Sequence, residues 1–383
     1  MTRWLPFALA AATLVVALWI FLPPPNYFFL VLAVGAPEIS AWLIAASLAA
    51  IALAAPSMHA SVPARMAIGV GTIALLLSAT PWLRLRGTMR EFDTAMRSMS
   101  LEPAHPRRTS RVSVADLFRG IRQPPARVST AMRYDAGSAN APLTTEIYTP
   151  PFGGSHPVVV QIYGGAWRGG TPADFANFAG WLADAGYVVF AIDYRHAPAF
   201  TWRDQLADVD SALTWVRDNA TRYGGDPSRI VLLGRSAGAH LAMLSAFSNR
   251  PIAIRGVVSF YGPSDLVDSY RHPPRPDPLH IRAVEEAFIG GTPDARYDGF
   301  AAASPISHVD RAMPPTLIIQ GARDHIVEAR YSRALHDRLA ATGTSVAYLE
   351  IPWAEHAFDE VFNGPSSQLS LYYVERFLAW ATR

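Results

Sequence analysis

One stretch near the middle of the chain passes directly from an apolar run through a glycine-flanked turn into a helix-forming segment. The β-branched run Ile230–Leu233 is followed by Gly234-Arg235-Ser236-Ala237-Gly238, and small residues continue to Phe247. A Gly-x-Ser-x-Gly turn in this setting holds its serine in a strained conformation at the end of a sheet, so its flanking residues must be very small. The hydroxyl then stands at a helix N-terminus, which favours a developing negative charge. The same five-residue pattern also occurs by chance around a serine in an ordinary strand-to-helix turn. The rest of the chain must therefore decide whether Ser236 is catalytic or structural.

From residue 128 onward, short β-branched runs alternate with segments of helical periodicity. An initial hairpin is predicted at Val128–Tyr134 and Leu143–Tyr148. Six further runs have the apolar character of strands buried on both faces of a sheet, namely Val158–Tyr163, Val188–Asp193, Ile230–Gly234, Gly256–Tyr261, Thr316–Gly321 and Val346–Ile351. Helices are predicted between and after them at Asp174–Ala185, Gln205–Tyr223, Ala237–Ser248, Arg330–Thr342 and Ser367–Thr382. This alternation predicts an α/β domain with a doubly wound, mostly parallel sheet.

The first 83 residues contain almost no charge. Arg3, Glu38 and Arg65 are their only charged side chains, although the whole chain has 33 basic and 31 acidic residues. An all-α membrane-spanning segment is predicted from three apolar runs of about the length that crosses a bilayer, namely Leu5–Leu22, Ile39–Ala55 and Met66–Leu83. Two spans are the alternative if the middle region is partly interfacial, and a buried helical hairpin is disfavoured by the near-absence of charge. Glu38 lies beside Pro37 near a span end and is interpreted as an interfacial residue, not as part of a transport path.

These patterns divide the chain into three regions. Residues 1–90 are a transmembrane region of about three helices, residues 91–127 a linker, and residues 128–383 the α/β domain. The linker is polar, rich in arginine and punctuated by prolines, which is typical of a tether. Within it, four apolar residues at helical spacing predict a short amphipathic helix that packs on the membrane or on the α/β domain, namely Val114, Leu117, Phe118 and Ile121.

Composition excludes several kinds of chemistry. The chain has no cysteine, which rules out disulfides, thiolate nucleophiles and cysteine metal sites. All 33 basic residues are arginine, which rules out a Schiff-base lysine, a Ser–Lys dyad and a P-loop lysine. A net charge of +2 gives no reason to expect a nucleic-acid partner. No cofactor or metal is expected.

A serine nucleophile needs a base to remove its proton, and the base is normally a histidine oriented by a carboxylate. In a doubly wound sheet, these partners belong in loops at the carboxyl ends of later strands. Asp324 follows the predicted strand at 316–321, and His356 follows the one at 346–351. The sequence therefore predicts a triad of Ser236, Asp324 and His356.

Neighbouring residues have simpler interpretations. Asp324 could instead cap the helix that begins near Glu328. His240 follows Ser236 too closely to turn back as its base and is expected to be structural. His325 is interpreted as a loop residue.

Backbone donors for the oxyanion of a tetrahedral intermediate are expected in two places. One is the amide of Ala237, directly after the serine. The others are the amides of Gly165 and Ala166, where paired glycines let the backbone approach a substrate closely. A tight turn without a catalytic role would also explain these glycines. This explanation is the weaker one once the serine, the acid and the histidine are considered together with the loop.

With these residues placed, residues 128–383 resemble the α/β-hydrolase superfamily. The likeness is greatest to its hormone-sensitive-lipase-like carboxylesterases and the related acetyl-esterase and kynurenine-formamidase group. The motifs that carry it are Tyr163-Gly164-Gly165-Ala166-Trp167, Asp193-Tyr194-Arg195-His196-Ala197-Pro198, Gly225-Asp226-Pro227, Ser236-Ala237-Gly238-Ala239-His240-Leu241 and Gly321-x-x-Asp324-x-x-Val327. The sequence departs from the family at Tyr163, where the family has histidine. We expect this side chain to shape the loop without donating to the oxyanion.

The resemblance implies an α/β-hydrolase fold and a serine hydrolase that cleaves carboxylic esters without a cofactor. Joined to the apolar N-terminus, it predicts a membrane-anchored enzyme acting on small-molecule or lipid esters with short to medium acyl chains. Trp167, Phe200 and the 266–303 insertion are candidate substrate-pocket or lid elements. The alternatives are amide or formamide hydrolysis, acyl transfer to a membrane-associated acceptor, and a non-catalytic ligand-binding protein, which an intact triad disfavours.

The expected location is a bacterial cytoplasmic membrane, with several spans. With three spans, Arg84, Arg86 and Arg90 on one side outweigh Arg3 and Arg65 on the other, which favours a cytoplasmic catalytic domain. With two spans, the catalytic domain would share the side of the N-terminus.

Overall fold

The strands of the described chain form one mixed sheet of eight. The computed structural model describes residues 4–99, 107–122, 127–134, 143–249 and 252–383. Its strands are β1 (Arg127–Tyr134), β2 (Leu143–Thr149), β3 (His156–Ile162), β4 (Val188–Ile192), β5 (Gly225–Arg235), β6 (Gly256–Phe260), β7 (Thr316–Gly321) and β8 (Val346–Ile351). Their order across the sheet is β1-β2-β4-β3-β5-β6-β7-β8.

The sheet is antiparallel at one edge and parallel elsewhere. Strand β2 pairs antiparallel with β1 and β4, whereas all pairs from β4 through β3 to β8 are parallel. The carboxyl ends of β5, β7 and β8 therefore lie at one edge, where doubly wound sheets place their ligands. The predicted fold class, a mostly parallel α/β sheet, is confirmed.

Helices cover both faces of the sheet, which explains why its strands are apolar throughout. Val158 and Val160 of β3 pack into the core on one face, and Val159 packs into the core on the other. The covering helices are α6 (Ala176–Asp184), α7 (Trp202–Asn219), α8 (Ala237–Leu244), α12 (Ala329–Ala341) and α13 (Pro365–Ala381). Three further helices lie in the 266–303 insertion, where no helix was predicted, namely α9 (Leu266–Arg271), α10 (Ile281–Ile289) and α11 (Pro293–Ala303).

The apolar N-terminal region contains four helices in its described part, where about three were predicted. They are α1 (Leu5–Leu18), α2 (Tyr27–Glu38), α3 (Ser40–Ala54) and α4 (Val62–Ala95). Two stretches are long and apolar enough to cross a membrane, Ser40–Ser57 and Val62–Ala95. Helix α1 has 14 residues and packs against both α3 and α4, whereas α2 is the additional short helix.

The tether interpretation of the linker is wrong for the residues that the structure describes. Helix α4 continues past the apolar run to Ala95, and its Phe92 is buried in the core of the α/β domain. Asp93, one residue on, accepts hydrogen bonds from the hydroxyl of Tyr373 on α13, at 2.8 Å, and from Arg111. The helix that leaves the apolar region is thus part of the α/β domain.

The predicted amphipathic helix is α5 (Val114–Arg119), and it lies between the two regions. Its Leu117 carbonyl accepts a hydrogen bond from Trp42 of α3 at 3.2 Å, and the ring of Phe118 packs against the same indole. On the other side, the Ile121 amide donates to Asn363 of the α/β domain at 2.9 Å. The segment around α5 therefore packs on the α/β domain and on α3, while contact of this helix with a membrane stays a prediction.

Glu38 is not interfacial as predicted, but buried against the α/β domain. Its carboxylate accepts hydrogen bonds from the amide of Ser366, at 3.0 Å, and from the Ser366 hydroxyl, at 2.5 Å. A Cβ added at Gly364 would lie 2.3 Å from the same carboxylate. The first turn of α13 is therefore shaped to receive Glu38.

Candidate active site

Ser236 lies in the strained turn that the sequence predicts. Its φ of 49° and ψ of −120° lie in a region that L-residues rarely occupy. A Cβ at Gly234 would lie 2.4 Å from the Gly238 carbonyl oxygen, and one at Gly238 would lie 2.3 Å from the carbonyl oxygens of Ile162 and Tyr163. Both flanking glycines are therefore required by contact, not only by turn geometry.

The structure brings the three predicted triad residues together. The Ser236 Oγ lies 2.9 Å from His356 Nε2, and His356 Nδ1 lies 2.8 Å from Asp324 Oδ2. The imidazole of His356 and the carboxylate of Asp324 are both buried. These distances allow a proton to move from the serine hydroxyl to the imidazole while the carboxylate orients the ring.

Asp324 is held in place by its own loop. Its Oδ1 accepts hydrogen bonds from the amides of Ile326, at 2.8 Å, and Val327, at 2.7 Å. Its Oδ2, which faces His356, also accepts a hydrogen bond from Gln320 at 2.8 Å. The carboxylate therefore presents one fixed oxygen to the imidazole.

The predicted oxyanion loop lies beside the serine. A Cβ at Gly164 would lie 3.2 Å from the Ser236 Cβ, so the loop backbone passes directly over the nucleophile. Gly165 has φ 125° and Ala166 has φ 53°, which turn this backbone sharply. Within the described chain, no acceptor is found for the amides of Gly165, Ala166 or Ala237. All three remain available to a ligand.

Tyr163, the departure from the family motif, is buried behind the oxyanion loop. Its hydroxyl donates to Asp193 at 2.5 Å and lies 2.9 Å from His196 Nε2, while its ring stacks on Tyr194. Burial, reinforced by the neighbouring Tyr194 and Asp193, raises the pKa of Tyr163, so the phenol stays neutral. The side chain supports the loop from behind.

A cavity of about 450 Å³ opens in front of Ser236 and His356. Its walls are largely apolar and include Trp167 of the oxyanion loop, Ile326 and Val327 of the acid loop, and Leu279, Ile281 and Val284 of the 266–303 insertion. Buried Glu285 also lines it, and burial raises the pKa of this residue to about 8, so its carboxyl group is protonated at neutral pH.

The two predicted substrate-binding residues have different outcomes. Trp167 lines the cavity, with its ring stacked on Phe288 at 4.3 Å and its indole N–H donating to His240. Phe200 does not line it, and this prediction is wrong. Its ring instead lies 4.6 Å from the guanidinium carbon of Arg195, which a cation–π contact explains.

His240 and His325 are structural in this geometry. His240 is fully buried, and its Nε2 lies 2.7 Å from the Ala303 carbonyl at the end of α11. Burial lowers its pKa to about 4, so the ring is neutral. His325 Nδ1 lies 2.6 Å from Glu355, whose carboxylate also accepts the His325 amide.

A buried polar network behind His356 was not predicted. The ring of Tyr261 lies 4.6 Å from that of His356, and its hydroxyl donates to Asp359. The other oxygen of Asp359 accepts a hydrogen bond from Arg235 Nε at 2.6 Å. Arg235 is fully buried with its guanidinium over the rings of three phenylalanines, namely Phe175, Phe178 and Phe260. The one sequence feature that could have pointed to Arg235 was its position next to Ser236.

Tyr27 is the cavity residue least accessible to sequence reasoning. It belongs to α2 in the apolar N-terminal region, yet it lines the same cavity as Ser236. Among the described residues, no group of three or more histidine, aspartate or glutamate side chains is arranged to hold a metal ion.

Comparison with known proteins shows that the chain is similar to esterases. The probable carboxylic ester hydrolase LipM of Mycobacterium tuberculosis is 33% identical over 239 residues, which cover 59% of this chain and 54% of LipM. The esterase LipC of the same organism is 36% identical over 221 residues, which cover 53% of each chain. The chain thus spans about half the length of the curated relatives it matches.

A solved structure supports the same fold. Esterase 2 of the planctomycete Thermogutta terrifontis, with butyrate bound, is 26% identical with a TM-score of 0.52, covering 65% of this chain and 93% of that one. The predicted resemblance to α/β-hydrolase esterases is confirmed. The family model described as BD-FAE matches residues 145–339, just over half of the chain. This chain, by its fold and its sequence, belongs to the BD-FAE family.

Proposed function

We propose that this protein is a membrane-anchored serine hydrolase that cleaves carboxylic esters. The observation that carries the proposal is that Ser236 Oγ, His356 and Asp324 lie within hydrogen-bonding distance of one another in that order. Ser236 and His356 line an apolar cavity, beside backbone amides that are free to bind a ligand. The esterase names of the relatives support the reaction class.

In the first half of the reaction, His356 Nε2 accepts the Ser236 hydroxyl proton as the oxygen attacks the ester carbonyl carbon. The negative charge on the carbonyl oxygen is stabilised by the amides of Gly165, Ala166 and Ala237. The imidazolium then gives its proton to the departing alkoxide, which leaves as an alcohol. An acyl group remains on Ser236.

In the second half, water takes the place of the alcohol. His356 removes a proton from the water molecule as the water oxygen attacks the carbonyl carbon of the acyl-enzyme. His356 then gives this proton to Ser236 Oγ when the carboxylic acid leaves. Asp324 holds His356 in the tautomer with a proton on Nδ1 throughout. Each residue thus ends in its starting state.

The proposal includes a short to medium acyl chain. The esterase 2 structure that resembles this chain carries butyrate, a four-carbon acid. Trp167 lines the cavity that contains Ser236, and its ring is held in place by stacking on Phe288. A rigid wall of this kind favours acyl groups of limited length.

Membrane anchoring is supported by the two candidate spans, Ser40–Ser57 and Val62–Ala95. Exposed Arg84, Arg86 and Arg90 follow the apolar part of the second span on the side of the hydrolase domain. Since basic residues flank spans on the cytoplasmic side, we propose that the catalytic site faces the cytoplasm.

The test is hydrolysis of p-nitrophenyl esters with acyl chains of graded length by the full chain in detergent, beside Ser236→Ala. We expect turnover that falls by on the order of 10⁴-fold or more in the variant, since the nucleophile is lost. Absence of turnover on every ester by the folded wild-type protein would sink the proposal.

A further inference from the structure

The active-site cavity has a wall contributed by the apolar N-terminal region. On α2, Leu30 and Val34 occur three and seven residues after Tyr27, so the three share one helix face. Tyr27 lines the cavity, and Leu30 and Val34 pack in one apolar cluster with four cavity-lining residues, namely Leu279, Ile281, Ile326 and Val327. Helix α2 therefore backs both the insertion and the loop that carries Asp324.

This helix is fixed against the hydrolase domain at both ends. At its C-terminal end, Glu38 accepts two hydrogen bonds from Ser366. Before its N-terminal end, the Phe21 carbonyl accepts a hydrogen bond from Arg323, the residue before the proposed catalytic acid. Two separated attachments make the placement of α2 part of the active-site architecture.

Beside these cavity-facing residues, the surface of α2 is apolar and open. Phe28 is 68% exposed and Val31 is 56% exposed. Apart from Glu38 at its end, the helix contains no charged residue. An exposed apolar surface of this kind next to candidate spans matches a lipid environment better than water.

The position of α2 relative to the spans places it at the membrane surface. Helix α3 begins at Ser40, directly after α2, and the Ser40 hydroxyl accepts a hydrogen bond from Trp82 at 3.1 Å. Trp82 lies on α4 where the apolar run ends, just before exposed Arg84 and Arg86. Tryptophan followed by arginine is typical of the boundary between hydrocarbon and headgroups. Both ends of α2 are hydrogen-bonded to the hydrolase domain, through Phe21 and through Glu38, which keeps Tyr27 and the cavity on the domain side of this boundary.

We infer that the substrate is an amphiphilic ester held in the bilayer, which enters the active site past Tyr27 while its long apolar part stays in the membrane. This inference rests on the proposed ester hydrolysis and specifies its substrate. Helix α2 supplies the wall along which the apolar part passes, and the cleaved acyl group occupies the cavity at Ser236. Substrates that partition into the membrane are concentrated at the cavity mouth, whereas soluble esters must reach it from water.

The experiment compares two esters with the same acyl group. The full chain is reconstituted in phosphatidylcholine vesicles, and released butyrate is measured with hexadecyl butyrate in the bilayer and with ethyl butyrate in solution. Because acylation and deacylation involve the same butyryl group, the ratio of the two kcat/KM values reports how the alcohol part is received. We expect this ratio to exceed ten in the wild-type protein and to fall about tenfold in Tyr27→Ser, the size of effect that apolar contacts give.

Two further variants keep the result specific. Tyr27→Phe retains the ring and should keep the wild-type ratio, and Phe28→Ser, on the same helix but outside the cavity, should leave both activities unchanged. Equal kcat/KM values for the two esters in the wild-type protein, or a ratio unaffected by Tyr27→Ser, would overturn the inference. If the wild-type protein shows no hydrolysis of ethyl butyrate that depends on Ser236, the result counts against the proposed function instead. The two failures are therefore distinguishable.

Discussion

Residues that meet at the nucleophile are held in backbone conformations that they would not adopt alone. Ala166 and Ser236 both have positive φ values, 53° and 49°, and non-glycine residues in such regions cost about 1–3 kcal/mol each. The close fit of Gly238 against Ile162 and Tyr163 keeps the two strained segments in register. Packing thus holds the oxyanion amides and the serine in a prepared arrangement, which is what electrostatic catalysis requires.

At this scale, the structure brings predicted residues together where a motif fixes a position along a strand. Ser236, Asp324 and His356 each follow a strand whose end could be read from β-branched residues, so topology alone brought them to one edge. Phe200 was misplaced because no strand end fixes its direction, and the Arg195 guanidinium determines where its ring lies. Asp359 was missed because its partner Arg235 is distant in sequence.

The buried pair of Arg235 and Asp359 leads to a stability prediction. Asp359→Asn leaves the Arg235 guanidinium buried without its carboxylate, and removing one partner of a buried pair costs about 3–5 kcal/mol. We expect a loss of this size in the unfolding free energy of the full chain in detergent, measured by denaturant titration.

Two control variants test whether the unpaired buried charge causes that loss of stability. Asp218→Asn breaks a solvent-exposed pair with Arg217 and should leave the unfolding midpoint unchanged. Arg235→Met combined with Asp359→Asn removes both charges and should recover much of the lost stability, since methionine can fill the space between the phenylalanine rings. A double variant as unstable as Asp359→Asn alone would argue against an unpaired charge as the cause.

Elements were predicted well when their periodicity was strong. Strands β7 and β8 have the predicted bounds, and α12 differs from its prediction by one residue at each end. Helix α10 was missed because it has only nine residues, about two and a half turns, and because turn residues dominate the sequence on both sides. The extension of α4 to Ala95 was missed because arginine-rich sequence was interpreted as a tether, whereas its apolar face continues through Phe92.

His240 connects two elements, and its burial makes this connection sensitive to pH. It joins α8 to the end of α11 through the Ala303 carbonyl, in a site that lowers its pKa to about 4. The unfolded chain binds a proton near pH 6.5, so the stability present above that pH is lost as pH falls from about 6.5 to about 4. At pH 5 the expected loss from this residue is about 2 kcal/mol, at 1.36 kcal/mol per pKa unit.

The measurement is denaturant unfolding of the full chain at pH 7 and pH 5, compared with His240→Gln. Glutamine can still donate to Ala303 and accept from Trp167 but has no proton to gain in this range. The wild-type protein should therefore lose about 2 kcal/mol more than the variant between the two pH values. Equal losses would show that His240 does not titrate across this transition.

For the whole molecule, the N-terminal region and the hydrolase domain are joined by contacts that no local pattern reveals. Glu38 meets Ser366, Tyr27 reaches the cavity, and Phe92 enters the domain core. Hydrophobic periodicity reports which face of a helix is buried, but it does not report what covers that face. The sequence therefore predicted an anchor attached to a hydrolase, whereas α2 contributes to the cavity wall and α4 to the core of the α/β domain.

This arrangement makes the proposed orientation in the membrane testable with one pair of variants. Helix α3 begins beside the hydrolase domain at Ser40, and α4 returns to it, so in the proposed arrangement the intervening turn that contains Ala60 lies across the bilayer from the domain. The chain has no cysteine, so any cysteine introduced into it is the sole target for a maleimide. Ala60 and Ser155 are both exposed and mark the two sides.

With the arginines after the second span on the cytoplasmic side, Ala60→Cys should react with a membrane-impermeant maleimide in intact cells that express the full chain. Ser155→Cys should react only after the membrane is permeabilised, because the hydrolase domain would then be inside. The reverse pattern would place the catalytic site outside. Reaction of both variants in intact cells would mean that α3 and α4 do not cross the bilayer. It would also contradict the inferred access route past Tyr27, because that route requires the cavity mouth to lie at the membrane surface.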